Sequence, residues 1–216
     1  MYVFGITGGV GAGKSTVLRL IKENFNASVI EADEVGRMLM EPGNSAYLKI
    51  VEIFGEDILD NPGEQGSPIN RAKLAGIVFN NKNKRMVLNG IVHPLVKKYI
   101  TEEIGRIRCA EKYDYVFVEA ALLIEDHYDI ICDELWYIYA DEETRRERLK
   151  SSRGYSDEKI DAIMQSQLSE EEKIDSVFAS QLSDEQFRSH CSRVIDNSHD
   201  EQMTLGQLKE IIGYYD

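Results

Sequence analysis

The sequence is short of cysteine, with three in 216 residues. Cys109, Cys132 and Cys191 lie far apart, and no C-x-x-C pair occurs. Structural zinc sites and disulfide frameworks both need closely matched cysteine spacings. The sequence therefore indicates neither a zinc site nor a disulfide-stabilised fold.

Positive charge is also scarce. There are 25 Lys and Arg residues against 38 Asp and Glu residues, for a net charge of -13. A protein that binds the backbone of DNA or RNA needs a basic surface. The acidity therefore argues against a nucleic-acid partner, and it is typical of a well-solvated surface.

Long apolar runs, internal repeats and low-complexity segments are missing as well. No uninterrupted apolar stretch reaches the length that spans a bilayer, so we expect no membrane partner. The first residues have the character of a buried strand and not of a signal peptide, which favours a cytoplasmic location. A length of 216 residues fits one α/β domain with a good core. We expect a monomer or a small homo-oligomer, and the sequence does not select between them.

What the sequence does contain is a glycine-rich phosphate-binding motif at its start. Gly8 to Ser15 fit the pattern G-x-x-x-x-G-K-[ST] of the P-loop. The preceding residues, Tyr2 to Thr7, have strand composition, and apolar residues recur at helical spacing after the motif. A strand, a glycine loop and a helix are the context in which the motif binds a polyphosphate.

The motif predicts which residues bind a nucleotide. Backbone N–H groups of the loop and the N-terminus of the following helix form an anion site. Lys14 should reach the β- and γ-phosphates and act in catalysis, and the Ser15 hydroxyl should ligate Mg²⁺. The predicted ATP-binding residues are Gly11, Ala12, Gly13, Lys14, Ser15 and Thr16.

Two carboxylates follow predicted strands. Asp33 comes just after the apolar run Ala27 to Ile30, at the sheet edge where ligands bind in open α/β folds. We interpret Asp33 as a catalytic carboxylate; the alternative is a cap for a helix that starts near Glu34. Glu119 ends the predicted strand Tyr115 to Glu119 as an acidic Walker B residue would, or it is an ordinary strand end.

The middle of the chain interrupts the strand–helix alternation. Between residues 44 and 112, apolar residues recur at helical spacing and no strand is evident. Pro94 is expected to start a new helical segment or to kink the helix. We predict a helical insertion beside the sheet that binds the second substrate.

A basic cluster follows the last long apolar strand. The stretch Arg145 to Arg153 carries five basic residues and one acidic residue. On a helix, Arg146, Lys150 and Arg153 share one face. Arginines commonly stabilise the charge on a transferring phosphoryl group, so we predict a lid with catalytic arginines. The alternative is a plain solvated surface.

Together these patterns predict the fold class. We expect an α/β fold with a P-loop NTPase-type parallel sheet flanked by helices, a helical substrate-binding insertion and a helical lid. The sheet-forming core is predicted at 1–43, 113–141 and 193–216, the insertion at 44–112 and the lid at 142–175. All of 1–216 is assigned to one domain.

Motifs over nearly the whole chain resemble those of the dephospho-CoA kinase family. The stretch from Gly5 to Ser15 is similar to the family's P-loop, and Glu31-Ala32-Asp33 to its D-A-D. Further similar segments are Arg71 with Leu74, Val78-Phe79, Leu88 through His93-Pro94, Leu122 to Glu125, Arg148-Leu149 with Arg153, Gln165 to Gln167, and Val194 to Asn197.

The resemblance implies transfer of the ATP γ-phosphoryl group to the ribose 3′-hydroxyl of dephospho-CoA. It implies a single P-loop kinase domain, ATP as co-substrate and Mg²⁺. It implies that Arg148 and Arg153 are catalytic residues of the lid. The implied acceptor-binding residues are Asp33, Arg71, His93, Leu122 and Glu125. For His93 a purely structural role is the alternative.

The sequence departs from the family pattern at several positions. Glu31 stands where Asp is frequent, Ala121 where Pro is usual, Ile124 where Phe is usual, and Ile163 where a lid arginine is common. The stretch from Ile174 to Ser192 is longer than the family requires. These differences concern the lid more than the core.

Two other functions compete with this one. Another P-loop nucleoside or nucleoside-monophosphate kinase would share the fold, but the insertion with Arg71 and His93 disfavours it. A nucleotide-binding switch would need a guanine-reading N-K-x-D, and Asn81 to Lys84 lack the aspartate.

Overall fold

A computed structural model describes residues 1–79, 81–121, 123–124, 126–168 and 191–215. The chain divides into two compact units, Met1–Val29 with Ala110–Asp216, and Ile30–Cys109. The predicted insertion, 44–112, falls in the second unit except for its last three residues.

A five-stranded sheet organises the fold. Its strands lie in the order β2-β3-β1-β4-β5, and β1 pairs in parallel with both β3 and β4, as β4 does with β5. Apolar residues fill successive positions of the central strands because both faces of a parallel sheet are covered. The strands are β1 Tyr2–Thr7, β2 Ala27–Glu31, β3 Tyr115–Glu119, β4 Glu134–Tyr139 and β5 Arg193–Asp196.

An aromatic cluster forms the centre of the first unit. The Phe4 ring lies 4.5 Å from the Trp136 ring and 5.2 Å from that of Phe117, centroid to centroid. All three side chains are fully buried. Rings of this size remove a large apolar area from water, so their contact stabilises the packing of the three central strands.

The described part of the first unit contains four α-helices. They are α1 Lys14–Asn24, α6 Glu142–Arg153, α7 Asp157–Leu168 and α8 Glu201–Ile212. Leu149 of α6 packs with Ile160 and Met164 of α7, and Val10 of the glycine loop lies against the same cluster. The α6–α7 pair is thereby anchored beside the loop.

The second unit is helical. It contains α2 Ala32–Leu39, α3 Ser45–Phe54, α4 Arg71–Phe79 and α5 Lys82–Ala110, with a short 3₁₀ turn at Glu56–Ile58. Among the described residues of 44–112 there is no strand, and Leu59 and Ile69 form one isolated antiparallel bridge. The helical character predicted for this stretch is confirmed.

Pro94 lies inside α5, which runs without interruption from Lys82 to Ala110. The alternative that a new helical segment starts at Pro94 is therefore wrong, and the alternative that Pro94 kinks the helix stays a prediction. Proline removes one backbone hydrogen bond, but Ile91 before it and Val96 after it are both buried. Packing on either side of the proline holds the helix together.

The helices that the structure describes include none with the length and apolarity needed to cross a membrane.

Candidate active site

The glycine loop between β1 and α1 is the centre of the site. Gly11 and Gly13 both have φ of 82°, a left-handed conformation that favours glycine. A Cβ atom on Gly13 would lie 2.4 Å from the Asn197 amide nitrogen and 2.9 Å from Arg148 Nη1. Glycine is therefore needed for the left-handed backbone of the loop, and at Gly13 also to leave room for the side chains of Asn197 and Arg148.

Helix α1 starts directly at the end of the loop. Gly13 occupies its N-cap position without a side-chain cap, and its first turn has no acidic residue. The first N–H groups of a helix lack intrahelical partners and carry a partial positive charge. Ser15 is exposed and Thr16 half-buried at this end, so the site is accessible to an anion.

Lys14 lies over the loop, where the motif predicts it. Its Nζ donates a hydrogen bond to the Gly8 carbonyl at 2.8 Å and lies 3.7 Å from the Glu119 carboxylate. Both side chains are largely buried. The ion pair brings an acidic strand end to the P-loop lysine, as a Walker B residue would be placed.

Two arginines of α6 face the loop. Arg145, only 8% exposed, donates from Nε to the Val10 carbonyl at 3.0 Å. Arg148 donates from Nη1 to the Ala12 carbonyl at 3.2 Å. The basic cluster predicted from the sequence therefore does reach the phosphate-binding loop.

The helix face formed by Arg146, Lys150 and Arg153, which the sequence analysis selected, has no hydrogen bond or ion pair with the loop among the described residues. Arg146 donates to Glu142 at 2.8 Å and to Asp161 at 2.6 Å, and Lys150 lies 2.5 Å from Asp157. The pairs with Asp161 and Asp157 join α6 to α7, and the pair with Glu142 lies within α6. Arg153 is exposed and has no hydrogen bond or ion pair with any residue in the described ranges.

Helix α6 is held at its start by Asp141. The carboxylate accepts a 2.8 Å hydrogen bond from the Thr144 N–H and a 2.9 Å bond from its hydroxyl. These bonds stabilise the ionised form, so they lower the pKa of Asp141. The cap sets where the helix begins, and with it the positions of Arg145 and Arg148.

Asn197 is a site residue to which the sequence analysis assigned no role. It follows β5, is 1% exposed, and donates from Nδ2 to the Ala12 carbonyl at 2.8 Å. Thr204 of α8, also fully buried, donates to the Asn197 side-chain oxygen at 3.0 Å. The partners are 185 positions apart, so no local sequence pattern indicates this contact.

Three predicted acceptor residues lie in the second unit. Asp33 is exposed and is the second residue of α2. Helix α2 begins at Ala32, and Glu31 occupies its N-cap position. The alternative that Asp33 caps a helix starting near Glu34 is therefore wrong. Arg71 begins α4 and lies 3.4 Å from Glu41. His93 is half-buried in α5.

Leu122 and Glu125, the other two predicted acceptor residues, lie outside the described residues. The same applies to the end of the predicted lid after residue 168 and to most of the long stretch from Ile174 to Ser192.

This architecture defines a class of protein. A parallel strand, a glycine loop and a helix, with a lysine over the loop and arginines from a neighbouring helix, form the phosphate site of a P-loop kinase. The dephospho-CoA kinase family model matches residues 2–177. The chain belongs to the dephospho-CoA kinase family.

Individual relatives agree with this assignment. The dephospho-CoA kinase of Carboxydothermus hydrogenoformans is 37% identical over 166 residues, covering 77% of this chain and 78% of its own. That of Mannheimia succiniciproducens is 39% identical over 168 residues, covering 78% of this chain and 74% of its own.

A solved structure supports the fold. The dephospho-CoA kinase from Campylobacter jejuni superposes with a TM-score of 0.60 at 23% identity, covering 99% of this chain and 97% of that one. The predicted α/β fold with a P-loop NTPase-type sheet is confirmed.

Proposed function

We propose that this protein is a dephospho-CoA kinase, which transfers the γ-phosphoryl group of ATP to the ribose 3′-hydroxyl of dephospho-CoA and releases coenzyme A and ADP. The observation that carries the proposal is a complete P-loop with Lys14 over it in a chain of this family. The loop indicates where ATP binds, and membership of the family indicates that the acceptor is dephospho-CoA.

The nucleotide site uses residues 11–16. Inward-facing N–H groups of the loop and the start of α1 bind the phosphates, and Lys14 neutralises the β- and γ-phosphates. In the structure the Lys14 ammonium already lies over the loop, bonded to Gly8.

The same loop fits a magnesium ion. Ser15 is exposed at the N-terminus of α1, and Mg²⁺ prefers oxygen ligands and the phosphates of its nucleotide. We assign Ser15 as the protein ligand. When bound, Mg²⁺ adds positive charge beside the phosphates, which favours the transfer.

Asp33 is the proposed proton acceptor. As the acceptor oxygen bonds to the γ-phosphorus, the 3′-hydroxyl proton passes to the Asp33 carboxylate. The bond from the γ-phosphorus to its bridging oxygen breaks, and ADP leaves with the electron pair. Asp33 is exposed at the start of α2, so its carboxylate is accessible to a substrate hydroxyl.

The helical stretch 44–112 is the proposed acceptor-binding region. Arg71 is exposed and joined to Glu41 by one surface ion pair, so it is available to a phosphate of dephospho-CoA. On the family resemblance we also assign to acceptor binding His93, which lies in this stretch, and Leu122 and Glu125, which follow it in the chain.

Residues 142–175 are the proposed lid of a single kinase domain. Arg148 and Arg153 are assigned the task of neutralising charge on the transferring group. Arg148 already donates to the loop carbonyl of Ala12, so its guanidinium starts near the phosphates.

The proposal extends to partners and location. The net charge of -13 supports the absence of a nucleic-acid partner, because phosphate backbones repel an acidic surface. We propose a monomer or a small homo-oligomer that works in the cytoplasm, where its co-substrate ATP is available.

A comparison of acceptors tests the function. Turnover of ATP is measured with dephospho-CoA, AMP, uridine, adenosine and no acceptor. We expect dephospho-CoA to be used far faster than the others, and adenosine to be poor because it lacks the diphosphate and the pantetheine arm. Faster use of AMP or uridine would assign the protein to another P-loop kinase activity, and equal turnover without acceptor would favour a nucleotide switch.

A further inference from the structure

We propose that Asn197 is a positioning residue for nucleotide binding: it fixes the two peptide groups at the end of the P-loop so that their N–H groups face the phosphates. The inference rests on the ATP site of the proposed function and is independent of the identity of the acceptor. The residue lies on the turn after β5, a segment that has no role in the reaction as proposed above.

The contacts of Asn197 are with carbonyl groups of the loop. Its Nδ2 donates to the Ala12 carbonyl at 2.8 Å and lies 3.4 Å from the Gly13 carbonyl. Asn197 is 1% exposed, so water does not compete for these bonds. A buried amide that lost them would bear the cost of unmet hydrogen bonds.

The geometry of the peptide group links these carbonyls to phosphate binding. In a trans peptide the C=O of one residue and the N–H of the next point in opposite directions in one plane. The Ala12 carbonyl shares its plane with the Gly13 N–H, and the Gly13 carbonyl with the Lys14 N–H. Holding both carbonyls toward Asn197 therefore directs both N–H groups to the opposite side of the loop.

Thr204 sets the orientation of the Asn197 amide. Its hydroxyl donates to Asn197 Oδ1 at 3.0 Å, while the Asp200 carbonyl is farther away at 3.3 Å. Because the threonine hydroxyl occupies the oxygen of the amide, the NH₂ group is the part left to face the loop. Thr204 is 0% exposed, which keeps this arrangement rigid.

Arg148 connects Asn197 to the proposed catalytic machinery. Its Nη2 donates to the backbone carbonyl of Asn197 at 2.8 Å, and its Nη1 donates to Ala12. The Ala12 carbonyl thus accepts from two side chains of different elements. Such shared acceptance fixes its direction more firmly than one bond would.

Substitution at Thr204 tests the inference without touching the loop. Thr204→Val keeps the shape and removes the hydroxyl, which frees the Asn197 amide to turn. We expect the Kd for ATP, measured by calorimetry, and the KM for ATP to rise by about tenfold or more. The KM for dephospho-CoA should stay unchanged. Thr204→Ser, which keeps the hydroxyl, should restore both values, and Asn197→Ala should reproduce the loss.

Gln207, on the same helix, provides a matched control. Its side chain accepts from the Asp196 N–H at 2.9 Å and donates to the Asp196 carbonyl at 2.8 Å, which holds β5 without contacting the loop. Gln207→Met should lower the melting temperature and leave the Kd for ATP unchanged.

The outcomes separate this inference from the proposed function. If Thr204→Val and Asn197→Ala lower the melting temperature as Gln207→Met does while the Kd for ATP stays at the wild-type value, Asn197 is structural and the inference is wrong. If wild-type protein binds ATP but does not phosphorylate dephospho-CoA, the proposed function fails, and the Kd comparison still decides the role of Asn197.

Discussion

At the scale of single residues, Lys14 illustrates how a motif becomes a site. The side chain is held by the Gly8 carbonyl at 2.8 Å and the Glu119 carboxylate at 3.7 Å, so its position is defined by protein groups alone. These groups fix the ammonium beside the loop, which reduces the reorganisation needed when phosphates bind.

Replacing Lys14 with Ala should nearly abolish phosphoryl transfer. Loss of one such charge contact costs about 3 kcal/mol or more in the transition state, or a fall in kcat of at least about a hundredfold. Steady-state kinetics with saturating ATP measure it. Lys22→Ala, an exposed lysine at the other end of α1, should keep full activity. Wild-type turnover in Lys14→Ala would contradict the assignment of the loop.

Asp33→Asn tests the proton acceptor. The amide keeps the shape of the carboxylate and cannot take a proton, so kcat should fall roughly a hundredfold or more with little change in the KM for ATP. Glu34→Gln is the matched control, since Glu34 is the next exposed acid of the same helix turn. A drop in thermal stability with unchanged kcat would leave Asp33 as a structural residue.

Arg71→Ala tests acceptor binding. Its ion pair with Glu41 is exposed, and pairs of that kind contribute little to stability, so the variant should fold normally. We expect kcat/KM for dephospho-CoA to fall at least about tenfold while the Kd for ATP stays unchanged. Arg85→Ala, an exposed arginine on α5, should behave as wild type. Equal losses for both substrates would be inconsistent with a role at the acceptor.

The residue scale also shows what the sequence can predict. Lys14 belongs to a contiguous motif whose geometry is set by its neighbours in the chain, and its ammonium lies 2.8 Å from the Gly8 carbonyl of that motif. Its contact with the phosphates stays a prediction. Arg145 could not be separated from Arg146, because which arginine faces the loop depends on how α6 packs. Asn197 lies in a segment that resembles the family's, but the sequence does not indicate its contact with the loop, since the partners are 185 positions apart.

At the scale of elements, α6 depends on its N-terminal cap. Asp141 accepts two hydrogen bonds from Thr144, and these bonds lower its pKa. A carboxyl whose pKa is lowered by folding stabilises the folded state above its unfolded pKa and loses that contribution as pH falls through its folded pKa. The cap should therefore be fully effective at neutral pH.

Asp141→Ala should lower the melting temperature by a few degrees at pH 7, and the difference from wild type should shrink as the pH falls below about 4. Thermal unfolding from pH 7 to pH 3 measures it. Asp141→Asn retains an oxygen acceptor without a charge, so its deficit should be smaller than that of Asp141→Ala; it should also shrink below about pH 4, because only the wild-type carboxylate titrates. A deficit in Asp141→Ala that stayed constant over the whole range would show that the charge is irrelevant.

The ends of the helices and strands show where prediction from local sequence patterns fails. The start of α4 at Arg71 and the bounds of β3 were predictable from periodicity and composition alone. The continuity of α5 through Pro94 was not, because it depends on buried residues on both sides of the proline. Tertiary packing outweighs a local preference where a long helix has many buried contacts.

At the scale of the whole molecule, an acidic chain binds two anionic substrates. With a net charge of -13, long-range attraction cannot concentrate ATP or dephospho-CoA at the surface. Binding must rest on local cations and oriented N–H groups. Lys14, Arg145 and Arg148 provide the cations at the loop.

The division into two compact units predicts which amide groups each ligand protects from hydrogen exchange. The ATP residues lie in Met1–Val29, and Asp33, Arg71 and His93 lie in Ile30–Cys109. ATP alone should slow amide hydrogen exchange in the loop, α1 and α6, and dephospho-CoA alone should slow it in α2, α4 and α5. Peptides from both ligand complexes are compared by mass spectrometry. Protection by both ligands in the same unit would contradict the assignment.

The hydrogen bond from Asn197 to the phosphate-binding loop has a consequence for the order in which the site forms during synthesis. The loop precedes β5 and α8 in the chain and is synthesised before them, yet its bond to Asn197 joins groups 185 positions apart. Closing so long a segment costs conformational entropy and occurs late in folding. A growing chain therefore carries the nucleotide-binding motif long before it has a working site. ATP cannot be held in its final geometry until β5 and α8 have been synthesised and docked.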